Sequence, residues 1–200
     1  LFLVIALCLA ITIVPPFLDR IYYDGPVSRH YDGAHFFNPD GDITPPAPPG
    51  TSRSGFVARW LLGDDDRPAW PQAVAVKPSR PAPFAAPRGM TATWVGHATV
   101  LVQAAGLNIL TDPIWSDYAS PFPPLGPKRV AQPGILFDDL PKIDLIVLSH
   151  NHYDHMDLPT LKRLWARDRP KIVTSLGNDT ILKHHGIPAT ALDWGQSVSG

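Results

Sequence analysis

The run Ser149-His150-Asn151-His152-Tyr153-Asp154-His155-Met156-Asp157 gathers three of the chain's eight histidines, together with two carboxylates, into nine residues. Directly before it stands Asp144-Leu145-Ile146-Val147-Leu148, a short apolar run rich in branched side chains, which reads as a buried strand. Residues two apart in extended chain project to one side, so His150 and His152 can grip one cation together. Asp154 and His155 follow where the chain must turn, and they can face a second cation displaced from the first. Imidazole nitrogen with carboxylate oxygen suits zinc, and also iron or manganese, in hydrolytic sites. No cysteine lies in the cluster, which excludes a closed thiolate zinc site. His150-Asn151-His152 spells the name of a nuclease motif, but no ββα pattern surrounds it. Surface histidines in a loop after a strand are the competing reading, the usual fate of a single histidine rather than of such a cluster.

The flanks supply the fold class. After the cluster, Asp157 can cap a helix whose first turn holds Pro159, and Leu158, Leu161, Leu164 and Trp165 form one apolar stripe at helical spacing. Residues 171–175 read as the next strand. Asn178 is expected to cap a second short helix that Gly186 ends, and residues 189–192 read as a further strand. His184 and His185 fall in the last turn of that helix, where the dipole favours protonated imidazole, and are read as surface residues rather than ligands. Before the cluster, residues 91–95 and 98–104 read as strands, and Ala105-Gly106 turns tightly into a third at 107–110. That strand ends at Thr111-Asp112-Pro113. Residues 114–129 are too rich in proline for regular structure, and residues 137–140 can form a short turn. A meander followed by strand, helix, strand, helix, strand, with ligands in the loop after a buried strand, argues a layered α/β domain over residues 90–200.

The remainder of the chain reads differently. Residues 1–14 carry no charge and form a membrane-directed segment, shorter than the roughly 20 residues needed to span hydrocarbon. Pro15-Pro16-Phe17-Leu18 offers no small-x-small cleavage site, so residues 1–18 are expected to be an uncleaved anchor holding the protein at a membrane, on a side the sequence does not give. Residues 19–89 are expected to be an irregular, proline-rich wrap or linker; residues 39–87 alone hold eleven of the 24 prolines, broken by one possible helical turn at 55–62. His30 and His35 lie here and read as packing or solvent-facing side chains. A net charge of −1 and a charged fraction of 18% give no sign of a nucleic-acid partner. The single cysteine, Cys8, rules out an intrachain disulfide.

His150-x-His152-x-Asp154-His155 resembles the metal motif of the metallo-β-lactamase superfamily. Trp94-Val95-Gly96-His97-Ala98-Thr99-Val100-Leu101, Leu110-Thr111-Asp112-Pro113 and Gly126-Pro127-Lys128-Arg129 are similar to blocks of its branch containing N-acylphosphatidylethanolamine-hydrolysing phospholipase D and bacterial relatives. The resemblance implies the first half of an αβ/βα sandwich, with one or two zinc ions, iron or manganese being the alternatives. It implies that His150 and His152 ligate the first metal and Asp154 and His155 the second, with Asp154 also placed to take up a proton during catalysis. Asp112 matches the first acidic motif, implying that it accepts hydrogen bonds that orient the ligating loop; its alternative is a turn-forming Asp before Pro113. His97 matches a block but no ligand position, implying a structural or supporting role. The superfamily completes its site with two further histidines and a bridging acid from its later half, and residues 159–200 hold none in a matching context, so the chain reads as truncated. The expected activity is hydrolysis of a phosphodiester in a membrane phospholipid. Lactone or other ester hydrolysis, and a catalytically silent membrane-tethered module, are the alternatives.

Overall fold

The computed structural model describes residues 2–6, 22–41, 71–84 and 88–199. Six strands make one mixed sheet in sequence order: β1 (Met90–Gly96), β2 (Thr99–Ala104), β3 (Leu107–Thr111), β4 (Leu145–Leu148), β5 (Lys171–Ser175) and β6 (Thr190–Leu192). The first three pair antiparallel, and β3 to β6 pair parallel. The switch follows from the connections. Ala105-Gly106, both at positive φ, reverses the chain in two residues, whereas each later strand returns through a crossover. The β4–β5 crossover carries helix α1 (Leu158–Asp168), and the β5–β6 crossover carries α2 (Asn178–His184).

Register decides which side chains become core. Leu101, Leu110, Ile146 and Ile172 are partners across four strands, and none is more than 3% exposed. Leu161 and Leu164 of α1 and Leu182 of α2 join the same apolar cluster, so the helical stripe packs on this row. Successive strand residues point to opposite faces, which puts Val100, Thr111, Val147 and Val173 in the neighbouring row on the other side. Val147 there is 40% exposed.

Asp157 caps α1, its side chain accepting from the Thr160 amide, and Pro159 stands in the first turn. The expected cap of α2 is corrected. Gly177, at φ +86°, takes the cap position, and Asn178 is the first helical residue. The Asn178 Nδ2 donates instead to Ser175 Oγ. A side chain at residue 177 would meet the backbone of Tyr23 at 2.9 Å, so the close approach as well as the left-handed turn selects glycine.

The described parts of residues 19–89 pack on this domain. Tyr23, Tyr31 and Phe36 stack on one another. Val74 bridges to Ala131, and the Ser79 amide donates to Gly134 O at 2.7 Å. The helical turn expected at 55–62 and most of the membrane-directed segment lie outside the described residues. No helix among the described residues is long and apolar enough to cross a membrane.

Candidate metal centre

Parallel pairing of β3 and β4 brings their C-terminal ends side by side. Chain leaves both there: Asp112 from one, Ser149 from the other, with the Asp112 amide donating to Val147 O at 3.0 Å. Asp112 turns its backbone to φ +34°, an uncommon conformation for a side-chain-bearing residue, and its carboxylate lies buried under the loop that follows β4. Three groups donate to that carboxylate. Ser149 N reaches Oδ1 at 2.7 Å, while Ser149 Oγ at 2.7 Å and His155 Nδ1 at 2.9 Å reach Oδ2.

These contacts assign two histidine tautomers. A carboxylate only accepts, so His155 carries its proton on Nδ1 and leaves the Nε2 lone pair free. Ser149 Oγ spends its proton on Asp112 and therefore accepts from His150 Nδ1, 2.8 Å away, which leaves His150 Nε2 unprotonated, accepting from His152 Nδ1 at 3.0 Å. One buried carboxylate thus turns the outward nitrogens of two imidazoles into electron-pair donors, the form a metal requires.

The rings converge. His150 and His155 have centroids 4.0 Å apart, and His150 Nε2 lies 3.0 Å from His152 Nδ1. His155 Nε2 stands 3.7 Å from Asp154 Oδ2. The turn that achieves this is held by the His155 and Met156 amides, which both donate to His152 O, at 2.9 and 2.7 Å. Two donors on one tetrahedral zinc lie roughly 3.3 Å apart, since each sits about 2.0–2.1 Å from the ion. The separations in the cluster bracket that value, and the donor set is nitrogen and carboxylate oxygen throughout, so these residues fit a metal of the zinc, iron or manganese type.

His97 belongs to this assembly, at a distance the sequence conceals. Its Nε2 lies 2.9 Å from Asp154 Oδ2, and its ring is 5.1 Å from that of His155. One ligand atom each from His97, Asp154 and His155 falls within 4.8 Å of the others, so the three can hold a metal together. Sequence reasoning gave His97 a supporting role and no ligand position. The signal that could have found it is the β1–β2 hairpin: Gly96 and His97, both at positive φ, turn the chain at the same sheet edge from which Asp112 and Ser149 emerge. His184 and His185 stay apart, at the exposed end of α2.

Charge follows geometry. Burial raises the Asp154 carboxyl, but its own backbone amide, the His155 ring and the hydrogen bond from His97 outweigh this and bring it below its ordinary value. Burial, then the neighbouring His155 and His152 rings, push His150 below the usual histidine range, against the pull of Asp112 and Asp154. Both shifts favour the ligating forms near neutrality, anionic carboxylate and neutral imidazole.

Asp157 fixes the loop from the other side. Beyond its cap contact it accepts from Trp115 N at 3.1 Å, Ser116 N at 2.9 Å, Ser116 Oγ at 2.7 Å and Thr160 Oγ1 at 2.6 Å. Residues 115–116, just past β3, are thereby tied to the start of α1. A cleft of about 820 Å³ opens beside the cluster, lined by His97, His152, Asp154, Trp94, Lys128 and Arg129 among others. Arg129 is itself pinned, donating from Nε to Ser116 O at 3.2 Å and from a terminal nitrogen to Ile114 O at 3.0 Å.

Comparison with known proteins matches this same part of the chain. The model of the β-lactamase superfamily domain matches residues 107–199, from the first residue of β3 through β6. An uncharacterised protein of Mycobacterium tuberculosis is 38% identical over 134 residues, covering 62% of this chain and 36% of that protein. The N-acyl-phosphatidylethanolamine-hydrolyzing phospholipase D 1 of Caenorhabditis elegans is 42% identical over 121 residues, 57% of this chain and 34% of the enzyme. A protein of Anaeromyxobacter named as a metal-dependent hydrolase is 35% identical over 105 residues, 52% of this chain and 34% of that protein. The chain thus spans about a third of the length of these curated relatives. Its relatives include metal-dependent hydrolases.

Proposed function

We propose that this chain supplies the first group of ligands of a metal-dependent hydrolase whose substrate is the phosphodiester of a membrane phospholipid, of the N-acylphosphatidylethanolamine class. The observation that carries the reading is the convergence of His150, His152, Asp154 and His155 beside a cleft that His152 and Asp154 line, with two imidazoles held in the ligating tautomer by Asp112. The phospholipid enters through the name of the Caenorhabditis elegans relative. In this reading His150 and His152 hold one metal, and Asp154 and His155 the other, with His97 close enough to share it. Zinc, the first choice, supplies when bound a Lewis acid that polarises the phosphoryl group and brings the pKa of water toward neutrality. Asp154, with its lowered pKa, would stay ionised to bind the metal, and in this reading it is the group that takes up a proton from the attacking water. His97, donating to Asp154 Oδ2, fixes the carboxylate. Asp112 keeps the His155 ring from rotating. Residues 1–18 complete the proposal by keeping the domain beside the bilayer that holds its substrate.

The test is to incubate zinc-loaded protein, expressed from its complete reading frame, with N-acylated phosphatidylethanolamine and to look for phosphatidic acid. Its release supports the reading. Intact phospholipid beside hydrolysis of an acyl lactone in a parallel assay would replace it with the ester reading. No turnover of either would leave a membrane-tethered module without catalysis.

A further inference from the structure

The block Gly126-Pro127-Lys128-Arg129 and the proline-rich loop before it play no part in the ligand set, yet the loop is built in detail. Its base is a short antiparallel ribbon. Tyr118 bridges to Lys128, Ala119 N donates to Pro127 O at 3.0 Å, and Arg129 N donates to Asp117 O at 2.7 Å. The ribbon is fastened beneath by Arg129 on the carbonyls of Ser116 and Ile114, and by Asp157 on Ser116. The tip is closed as well. Leu125 N donates to Phe122 O at 2.8 Å, and Gly126, at φ +107°, passes so near Ser120 that a side chain there would meet its Cβ at 2.7 Å. A stalk this well tied normally presents polar residues to water. This one presents Phe122, 71% exposed, and Leu125, 70% exposed, among prolines, and residues 118–127 carry no charge.

We propose that this loop is a lipid-surface docking element, which inserts Phe122 and Leu125 among acyl chains and lays Lys128 against anionic headgroups. Three features select a bilayer over a protein partner. The apolar groups are two neighbouring side chains on a protruding tip, a shape that enters a fluid interface without a complementary cavity. Lys128, exposed at the base of the loop, and Lys77, on the same cleft, outnumber the exposed Asp117 beside them and supply positive charge that adds to attraction for anionic lipid. Ala119, Pro127 and Lys128 also line the cleft that His97 and Asp154 line, so insertion would bring that cleft to the membrane surface. The preference for lipid as occupant rests on the phospholipid reading above. The tip is preformed, so little ordering entropy opposes insertion.

Vesicles of phosphatidylcholine with phosphatidylglycerol, free of any N-acylated lipid, test this apart from hydrolysis. In full-length protein carrying Cys8→Ser and Leu125→Cys, an environment-sensitive fluorophore on residue 125 should brighten and shift to the blue when vesicles are added, and a quencher in the acyl chains should dim it. Adding Phe122→Ser to the labelled protein should cut the vesicle-induced shift and the acyl-chain quenching at residue 125 by about half or more, since insertion scales with the apolar area buried, and this local signal is not supplied by attachment through residues 1–18. Added salt, or removal of phosphatidylglycerol, should weaken the signal as well. A label that keeps its aqueous emission while the protein sediments with vesicles overturns the proposal. So does a label already shielded without vesicles in a manner that depends on protein concentration, because the loop then faces protein. Docking with no phosphatidic acid from the N-acylated lipid would count against the hydrolase reading and leave the docking loop standing.

Discussion

Replacing Asp112 by Asn keeps the shape of the side chain and removes its charge. One amide oxygen can still accept from Ser149 N. The other position becomes an NH2 that faces Ser149 Oγ and His155 Nδ1, both of which donate to Asp112 in the wild type. His155 must then accept at Nδ1, so its proton moves to Nε2 and blocks the atom that faces Asp154. Two hydrogen bonds to a charged acceptor are lost, each worth about 1.5–3 kcal/mol, and part of this is recovered by rotation of the Ser149 hydroxyl. We therefore expect a loss of about 2–4 kcal/mol in urea unfolding of the metal-free protein. Metal affinity should fall by about 10–100-fold, as when a carboxylate behind a ligating histidine is removed. Titration calorimetry with zinc, against a competing chelator, measures the second quantity. An Asp112→Asn protein that is destabilised but binds zinc as tightly as the wild type would refute the tautomer argument and reduce Asp112 to a turn former.

Two further outcomes follow from the same contacts. Asp157→Ala strips the cap from α1 and takes the acceptor from Ser116 and from the Thr160 hydroxyl, while Trp115 N keeps Thr160 Oγ1 at 3.0 Å, so it should cost about 2–4 kcal/mol by urea unfolding, beyond the ~1 kcal/mol of a cap alone. His150 sits below its ordinary pKa, so the unfolded chain takes up a proton before the folded one. Its effect on stability is therefore absent well above pH 6.5 and becomes a growing penalty as pH falls through 6.5 toward the folded value. Metal-free His150→Gln should flatten that acid limb in unfolding measured from pH 8 to pH 5, and a limb unchanged by the substitution would contradict the assignment.

Local signals carried much of the architecture. Alternation and the Ala105-Gly106 turn gave the hairpins; the branched run before Ser149 gave β4; Asp157, Pro159 and the leucine spacing gave α1. Each is a short-range effect, settled by residues within a few positions of one another. What the sequence hid is long-range. His97 meets Asp154 across 57 residues because sheet register, rather than any motif, sets them side by side. Asp157 looked like a cap and is also the tie between α1 and the loop after β3, a role no spacing announces. The Asn178 cap failed for a different reason: a glycine one residue earlier meets both the left-handed conformation and the crowding by Tyr23, and that second demand comes from a segment more than 150 residues away. Val147 reads as core from the apolar run alone, but the face it points to is partly open among the described residues.

The central claim is that the loop from Ser149 to Asp157 is a metal site, and metal content tests it directly. Protein stripped with a chelator, dialysed against zinc and washed should retain at least about one equivalent by atomic emission, as expected of a preorganised nitrogen and oxygen donor set. The His150→Ala/His155→Ala variant, folded by circular dichroism, should retain almost none. Equal retention by the two proteins, or none by either, would contradict the account.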